Sequence, residues 1–281
     1  TTGEDKWVTQ LNKGDVWNHT MPSYDPKTGY KDQAVGDTPK IVDVITNGKK
    51  VRALGTGCKN GGFYLMDLYT GEIIDNTPIY TGPPSFNPKL DPRTLALPSP
   101  IGGIQTGCAT DGKAFFTNGI DSIYKGTNTE DALRYSPPTA GRVTCISLDT
   151  KSENWRHERP KIPWIGGTKE KPRFTNTGDP VASGIALANG CLFFTTMSSN
   201  VLMGLNGKTG EVLKEIKIGP VLCGPSVSRG RVYVGTGNVT FSMHPGEDYI
   251  PKRTTGILYS FGLPGVDEIE KMGKGNESEA K

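Results

Sequence analysis

The sequence predicts an all-β protein, a β-propeller built from four-stranded antiparallel blades. The first observation behind this prediction is composition: the chain of 281 residues has 37 glycines and 21 prolines, and both residues disfavour the interior of a helix. The second is a repeat, because short apolar runs recur in pairs around tight turns at intervals of about 40 residues or more. A repeat of this length with four strands per unit is typical of propeller blades.

Each of the four repeats begins with a hairpin whose turn contains glycine. Asn-Gly and Asp-Gly suit two-residue hairpin connections, because asparagine and glycine accept the positive φ angles that these turns need. The four turns are Asn47-Gly48, Asp111-Gly112, Asn189-Gly190 and Arg229-Gly230. The predicted strand pairs around them are residues 41–46 with 51–54, 104–108 with 114–117, 185–188 with 191–195, and 225–228 with 231–234.

A third strand and, in most repeats, a fourth strand follow each hairpin. A Thr-Gly-Glu turn joins them in the first and third repeats, and the predicted pairs are 63–67 with 70–74, 142–149 with 153–155, and 201–206 with 209–213. Trp7 and Trp155 fall near fourth-strand positions, where we expect them to pack between blades, and His157 follows in a cluster of solvated charges. The insertions 78–103 and 121–141 lack periodicity and are predicted to be surface loops.

The two ends of the sequence carry incomplete repeats. Residues 2–8 resemble the turn and fourth strand of a blade whose first three strands are absent, and the run 257–261 follows 231–235 without an obvious fourth strand. Four blades cannot easily surround a roomy channel, so we expect residues 1–265 to be the C-terminal half of a larger propeller, or a half that another chain completes. Residues 266–281 are charged and predicted to form a flexible tail. The missing initiator methionine indicates a processed or truncated product.

Charge, hydropathy and cysteine spacing argue against several classes of function. The net charge is +3 without a basic stripe, which argues against nucleic-acid binding. No run approaches the about 18 consecutive apolar residues of a membrane-spanning helix. The absence of CxxC spacing argues against zinc, and the apolar or glycine-flanked surroundings of the cysteines predict buried strand thiols, with one disulfide as an alternative. The five cysteines are Cys58, Cys108, Cys145, Cys191 and Cys223.

One stretch of the first repeat resembles a known family. The run 51–54, followed by Cys58-Lys59-Asn60-Gly61-Gly62 and the strand 63–67, resembles a blade of the pyrroloquinoline quinone (PQQ) dehydrogenases, which are eight-bladed propellers that oxidise alcohols in the periplasm. Residues 6–18 are similar to the segment before that blade, and residues 219–265 look most like the polyvinyl-alcohol-dehydrogenase-like branch. The resemblance implies bound PQQ and calcium, a small or polymeric alcohol as substrate, a cytochrome c as electron acceptor, and a periplasmic or secreted location.

The resemblance also implies which residues carry the chemistry. The family's general base is the second acidic residue of an Asp-x-Trp-Asp segment beside the calcium, and the matching position here is Asn18. An amide cannot act as that base, but its oxygen can orient a hydroxyl or bind calcium, so Asp15 and His19 are the alternative proton acceptors. Lys59, followed by Asn60, matches the family's cation that pairs with the quinone oxygens. For Lys59 the plain alternative is an exposed turn residue.

Two functions therefore remain open. The first is a quinoprotein dehydrogenase that removes a hydride from an alcohol, which the Lys59-Asn60 pair favours. The second is a non-catalytic relative that serves as a scaffold or partner-binding propeller, which Asn18 at the position of the base favours. In either case the missing blades or a second chain are the expected partners that complete the ring.

Overall fold

The computed structural model describes residues 2–15, 33–79, 102–120, 141–159, 164–167, 172–175, 179–197, 199–237 and 256–262. Within these ranges every regular element is a β-strand, and the strands form antiparallel sheets of up to four strands. The predicted all-β fold of four-stranded blades is therefore confirmed. None of the described residues belongs to a helix that is long and apolar enough to cross a membrane. The predicted tail at 266–281 lies outside the described residues.

Four sheets follow one another along the chain, and we call them blades 1 to 4. Each is a meander in which strands pair in sequence order. Blade 1 contains β1 (Lys40–Thr46), β2 (Lys49–Gly57), β3 (Gly62–Asp67) and β4 (Ile73–Pro78). Blade 2 contains β5 (Ala109–Thr110), β6 (Ala114–Ile120), β7 (Gly141–Ser147) and β8 (Ser152–Arg159), and a short hairpin of β9 (Trp164–Gly167) and β10 (Pro172–Thr175) follows it. Blade 3 contains β11 (Ala186–Ala188), β12 (Cys191–Thr195), β13 (Val201–Asn206) and β14 (Val212–Lys217), and blade 4 contains β15 (Ser226–Ser228), β16 (Arg231–Gly235) and β17 (Leu258–Gly262).

Blades 1, 2 and 3 share one internal geometry. In each of them the pairing between the third and fourth strands shifts register at the same place in the strand. The shifts lie between Leu65 and Met66, between Cys145 and Ile146, and between Gly204 and Leu205. The three blades therefore share the same internal arrangement of strands.

The hydrophobic core lies between the blades. Phe63 of blade 1 and Phe115 of blade 2 are fully buried with ring centroids 4.7 Å apart, and they belong to a cluster that both blades share. Phe116 and Phe194 belong to the equivalent cluster between blades 2 and 3. The third strands of blades 1, 2 and 3 are buried along nearly their whole length. A strand in this position has both faces covered, which explains its continuous rather than alternating burial.

The innermost segments of neighbouring blades touch each other. A Cβ atom built on Gly184 of blade 3 would lie 3.6 Å from the carbonyl oxygen of Gly107, and one on Gly224 of blade 4 would lie 2.5 Å from the carbonyl oxygen of Gly184. The N–H of Ile185 donates a hydrogen bond to the Gly107 carbonyl at 3.0 Å. Glycine is required at Gly224 because a side chain would collide with the neighbouring backbone. These contacts place the segments that lead into the first strands of blades 2, 3 and 4 side by side.

Three of the four predicted hairpin turns have the expected geometry. At Asn47-Gly48, Asn189-Gly190 and Arg229-Gly230 both residues have positive φ, which is the turn type that matches the twist of paired strands. The turn at Asp111-Gly112 differs, because Gly112 alone of the two has positive φ. The Asp111 carboxylate instead accepts hydrogen bonds from the N–H groups of Lys113 and Ala114, both at 2.8 Å. A side chain therefore closes this turn.

The predicted strand at 104–108 is wrong, because pairing with β6 begins only at β5. The N–H of Ile104 donates to the Cys58 carbonyl at 3.1 Å, and the N–H of Cys108 donates to the Asp37 carboxylate at 2.7 Å. The run therefore joins blade 2 to blade 1. Most of the insertions 78–103 and 121–141 lies outside the described residues, but their ends are part of the fold, since Ile79 is buried and Gly103 bridges to Ile120.

His157 and several cysteines also differ from the prediction. His157 lies within β8, half-buried against Phe194 with ring centroids 6.4 Å apart, because the strand continues beyond it to Arg159. All five cysteines are free thiols. Cys145 is a buried strand thiol as predicted. Cys58 and Cys108 are also buried but lie just outside the strands, Cys191 is partly buried in β12, and Cys223 is exposed.

Candidate functional site

The candidate site is built around the loop that joins β2 to β3 in blade 1. The N–H of Cys58 donates to the Gly62 carbonyl and the N–H of Gly61 donates to the Cys58 carbonyl, each at 3.0 Å, so the loop is a tight backbone-bonded turn. The N–H of Lys59 donates to the Ala34 carbonyl at 3.0 Å. The Lys59 backbone is therefore fixed by its own turn and by the segment that leads into β1.

Asn12 fastens the segment before Asp15 to this loop. Its Nδ2 donates to the Gln33 carbonyl at 2.7 Å and to the Cys58 thiol at 2.9 Å. Its Oδ1 accepts a hydrogen bond of 2.7 Å from Nδ2 of Asn60. Each polar atom of this amide is thus used in holding one segment to another. The sequence gives no signal for this role, because an asparagine in a polar segment of this kind is typical of a turn.

Asp15 lies half-buried beside the same loop. Its Oδ1 accepts a hydrogen bond of 2.8 Å from the N–H of Gln33. Burial raises the pKa of the Cys58 thiol, and the negative charge of Asp15 raises that pKa further, while the hydrogen bond from Asn12 lowers it. Asp15, which precedes Lys59 by 44 positions, therefore lies beside the Lys59 loop.

Asn60 holds the loop together through its side chain. Its Nδ2 donates to Oδ1 of Asn12 and also to the Tyr64 hydroxyl at 2.6 Å, and its Oδ1 accepts a hydrogen bond of 2.8 Å from the N–H of Gly62. Burial raises the pKa of Tyr64, so this phenol stays protonated. The contacts of Asn60 are internal to the protein, and its role in cofactor binding stays a prediction.

Asn18 and His19 lie outside the described residues. The position of the family's base is therefore not placed, and neither is the calcium ligand that Asn18 would supply. Within the described ranges, no three His, Cys, Asp or Glu side chains converge to hold a metal ion.

The groups that are placed fit the implied cofactors in their chemistry. Asp15 offers a carboxylate, which is the kind of oxygen ligand that calcium prefers. Lys59 offers a cation, which suits the carboxylate and carbonyl oxygens of PQQ. A cation and a carboxylate at one end of a blade can therefore bind an anionic quinone together with a hard metal ion.

A cavity of about 1160 Å³ opens at the ends of blades 1, 2 and 3 that lie opposite the Lys59 loop. Turn residues such as Asp111, Asn189 and Asn206 line it. The Asp111 carboxylate accepts a hydrogen bond from the N–H of Lys113 in its own turn. The Asn206 amide oxygen likewise accepts one from the N–H of Lys208. Lys59 does not line the cavity, and the Asp111 and Asn206 oxygens serve their own turns.

Comparisons with known proteins point to one fold. A scan against protein-family models gives no match, and a search of the curated proteins gives none. Among solved structures, the chain is similar to a europium-containing methanol dehydrogenase, with a TM-score of 0.55 and 20% identity over 85% of this chain and 52% of that chain. It is also similar to quinohemoprotein alcohol dehydrogenase from Comamonas testosteroni, with a TM-score of 0.56 and 19% identity over 85% of this chain and 42% of that chain.

These similarities confirm the resemblance at the level of the fold. The chain is folded like about half of a PQQ-dependent alcohol dehydrogenase, and it spans about half the length of the two structures that it matches. The fold is thus quinoprotein dehydrogenase-like.

Proposed function

We propose that this chain forms part of a quinoprotein dehydrogenase that oxidises an alcohol with bound PQQ and calcium. The observation that carries the proposal is the link through Asn12, which holds the Asp15 segment against the Lys59 loop in a fold shared with alcohol dehydrogenases. We further propose a periplasmic or secreted location, a cytochrome c as electron acceptor, and further blades or a second chain that complete the ring.

Lys59 binds the quinone in this proposal. PQQ, when bound, supplies the acceptor for the hydride that leaves the carbinol carbon. The Lys59 backbone is fixed by its own turn and by the Ala34 carbonyl, so its side chain extends from a defined point. A lysine ammonium that reaches the quinone oxygens stabilises the negative charge that develops on them.

Asp15 takes the hydroxyl proton of the alcohol in this proposal. A carboxylate can accept a proton, whereas the amide of Asn18 cannot. The Oδ1 atom of Asp15 is held by the N–H of Gln33, and among the described residues Oδ2 has no hydrogen-bond partner. Asn18 then orients the hydroxyl or binds calcium through its oxygen. His19 is the second candidate for the proton acceptor.

The test is reconstitution of the purified chain with PQQ and calcium, followed by dye-linked oxidation of primary alcohols. We expect activity that falls at least about a hundredfold in Asp15→Asn, the range over which general bases contribute, and that also falls in Lys59→Met. Lys49→Met changes an exposed lysine of β2 and serves as the control. His19→Gln should stay active. Loss of activity in that variant would instead assign the role of proton acceptor to His19.

The scaffold function is the competing outcome, and Asn18 at the position of the base is what favours it. A chain that binds PQQ but leaves alcohols unoxidised at every pH between 6 and 9 would establish that outcome and contradict the dehydrogenase. Activity that survives in Asp15→Asn and in His19→Gln would contradict the roles assigned to these two side chains.

A further inference from the structure

Gly103 of blade 2 packs directly on the backbone of Lys59 in blade 1. A Cβ atom built on Gly103 would lie 2.1 Å from the Lys59 carbonyl oxygen, 2.5 Å from its carbonyl carbon and 2.7 Å from its Cα. Real Cβ atoms do not approach other heavy atoms so closely, since packed atoms stand about 3.5 to 4 Å apart. The space at Gly103 therefore has room for glycine alone.

Gly103 cannot easily move away from Lys59. Its N–H donates to the Ile120 carbonyl at 2.8 Å, and its carbonyl accepts from the N–H of Ile120 at 3.0 Å. The next residue, Ile104, is fully buried and donates its N–H to the Cys58 carbonyl at 3.1 Å. Ile104 also packs against Gly57, where a Cβ atom would lie 2.4 Å from its Cγ2. A side chain at position 103 must therefore displace Lys59.

We propose that Gly103 is a positioning residue for Lys59, so that blade 2 sets where the quinone-binding cation of blade 1 lies. This inference rests on the quinone site proposed above. The Lys59 backbone has Ala34 on one side and Gly103 on another, and the ammonium is carried by a backbone that both contacts hold. Loss of the Gly103 contact moves the origin of the Lys59 side chain and weakens the binding of an anionic ligand.

The chain offers a matched control for this proposal. Gly103 and Gly112 both belong to blade 2 and both have positive φ, +72° and +81°, so alanine strains the backbone similarly at either position. A Cβ atom on Gly112 meets nothing within 4 Å. Gly103→Ala and Gly112→Ala therefore differ in whether the new methyl group reaches Lys59.

Two readouts separate the variants. We expect Gly103→Ala to weaken PQQ binding at least tenfold, and to speed hydrogen exchange of the Lys59 and Ile104 amides at least tenfold, while Gly112→Ala changes either value less than twofold. Equal effects in the two variants would overturn the proposal. Exchange is measured without ligand, so it still decides the role of Gly103 if the unaltered chain fails to bind PQQ, which would contradict the proposed function instead.

A third measurement needs no substitution, in case Gly103→Ala does not fold. In the unaltered chain, saturating PQQ should slow exchange of the Ile104 amide at least fivefold, because that amide bonds to the Cys58 carbonyl next to Lys59. The Ala114 amide, which bonds to Asp111 in the same blade, should not change. Bound PQQ that leaves Ile104 unchanged would overturn the proposal.

Discussion

Blade 3 receives a tryptophan from blade 2, whereas the equivalent contact between blades 1 and 2 uses smaller polar groups. Trp155 of β8 donates from Nε1 to the Gly207 carbonyl at 3.1 Å, and its ring covers Gly210, where a Cβ atom would lie 2.6 Å from the ring. Alignment of the blades by their register shifts gives the equivalent positions at the interface between blades 1 and 2. Asp75 of β4 takes the place of Trp155, and Lys151 takes the place of Gly210.

The difference explains why the turn between the third and fourth strands carries glycine in some blades and not in others. Lys151 has a φ of 52°, so its turn has the same left-handed backbone as the one at Gly210 but carries a side chain. Its Nζ donates to the Thr46 hydroxyl at 3.2 Å, and its carbonyl accepts from the Thr77 hydroxyl at 3.3 Å. Glycine is therefore needed at this turn where the neighbouring blade supplies a tryptophan, and it is dispensable where the neighbour supplies smaller groups.

The N-terminal segment repeats the tryptophan contact. Trp7 donates from Nε1 to the Leu68 carbonyl at 2.9 Å, and a Cβ atom on Gly71 would lie 2.5 Å from its ring. Both tryptophans thus pack between structural units, as their positions in the sequence predict. Residues 2–9 occupy the place beside blade 1 that β8 occupies beside blade 3.

The largest effect should come from Gly210→Ala. The new methyl group strains a backbone with a φ of +77° and collides with Trp155, so the free energy of unfolding should fall by about 2 to 4 kcal/mol in urea denaturation. Gly190→Ala is the control in the same blade, because its φ is +75° and a Cβ atom there meets nothing. It should cost about 1 kcal/mol, and an equal loss in both variants would refute the role of Trp155.

Trp155→Ala should have the next largest effect. The indole is partly buried against the cluster between blades 2 and 3, and its loss should lower the free energy of unfolding by about 2 to 3 kcal/mol, somewhat less than for a fully buried tryptophan. In a protein that already carries Trp155→Ala, Gly210→Ala should lower the free energy of unfolding by at least about 1 kcal/mol less than it does alone. The reason is that substitutions of residues in contact are not additive. Additive losses would mean that the two residues do not touch.

Some of the features that distinguish these interfaces could be predicted from the sequence. The hairpin and Thr-Gly-Glu turns were predictable because glycine and asparagine mark positive φ at fixed points in each repeat. The strand at 104–108 was not, because an apolar run that docks on the next blade looks the same as one that pairs within its own sheet. The contacts of Asn12 with Cys58 and of Gly103 with Lys59 join residues more than 40 positions apart, and no local pattern encodes such pairs.

His157 should make the interface between blades 2 and 3 sensitive to acid. Burial lowers its pKa from the ordinary value of about 6.5, the charge of Arg159 lowers that pKa further, and the charge of Glu215 opposes both. Below this value the unfolded chain takes up a proton that the folded chain resists, so stability is lost as the pH falls through the ordinary pKa. The urea concentration at the unfolding midpoint should decrease as the pH is lowered from 7.5 to 5.5.

His157→Phe keeps an aromatic ring against Phe194 and removes the titrating group. Its urea midpoint should depend less on pH over the same interval than that of the unaltered chain. An identical pH dependence in the two proteins would assign the acid sensitivity to other groups.

The smallest effect should come from Lys151→Gly. Glycine relieves the cost of a left-handed lysine, about 1 kcal/mol, but removes the hydrogen bond to Thr46 and adds freedom to the unfolded chain. We expect a gain in stability below about 1 kcal/mol. A loss of more than about 1 kcal/mol would show that the lysine side chain does for its interface what Trp155 does for the other.

The proposed function stands on the Asn12 link, which holds the Asp15 segment against the Lys59 loop of blade 1. The most direct measurement is an equilibrium titration of the chain with PQQ in the presence of calcium, followed by absorption, for the unaltered protein and for Lys59→Met. We predict saturable binding to one site that weakens at least tenfold in Lys59→Met. Equal affinity in the two proteins, or no saturable binding in the unaltered protein, would contradict the account.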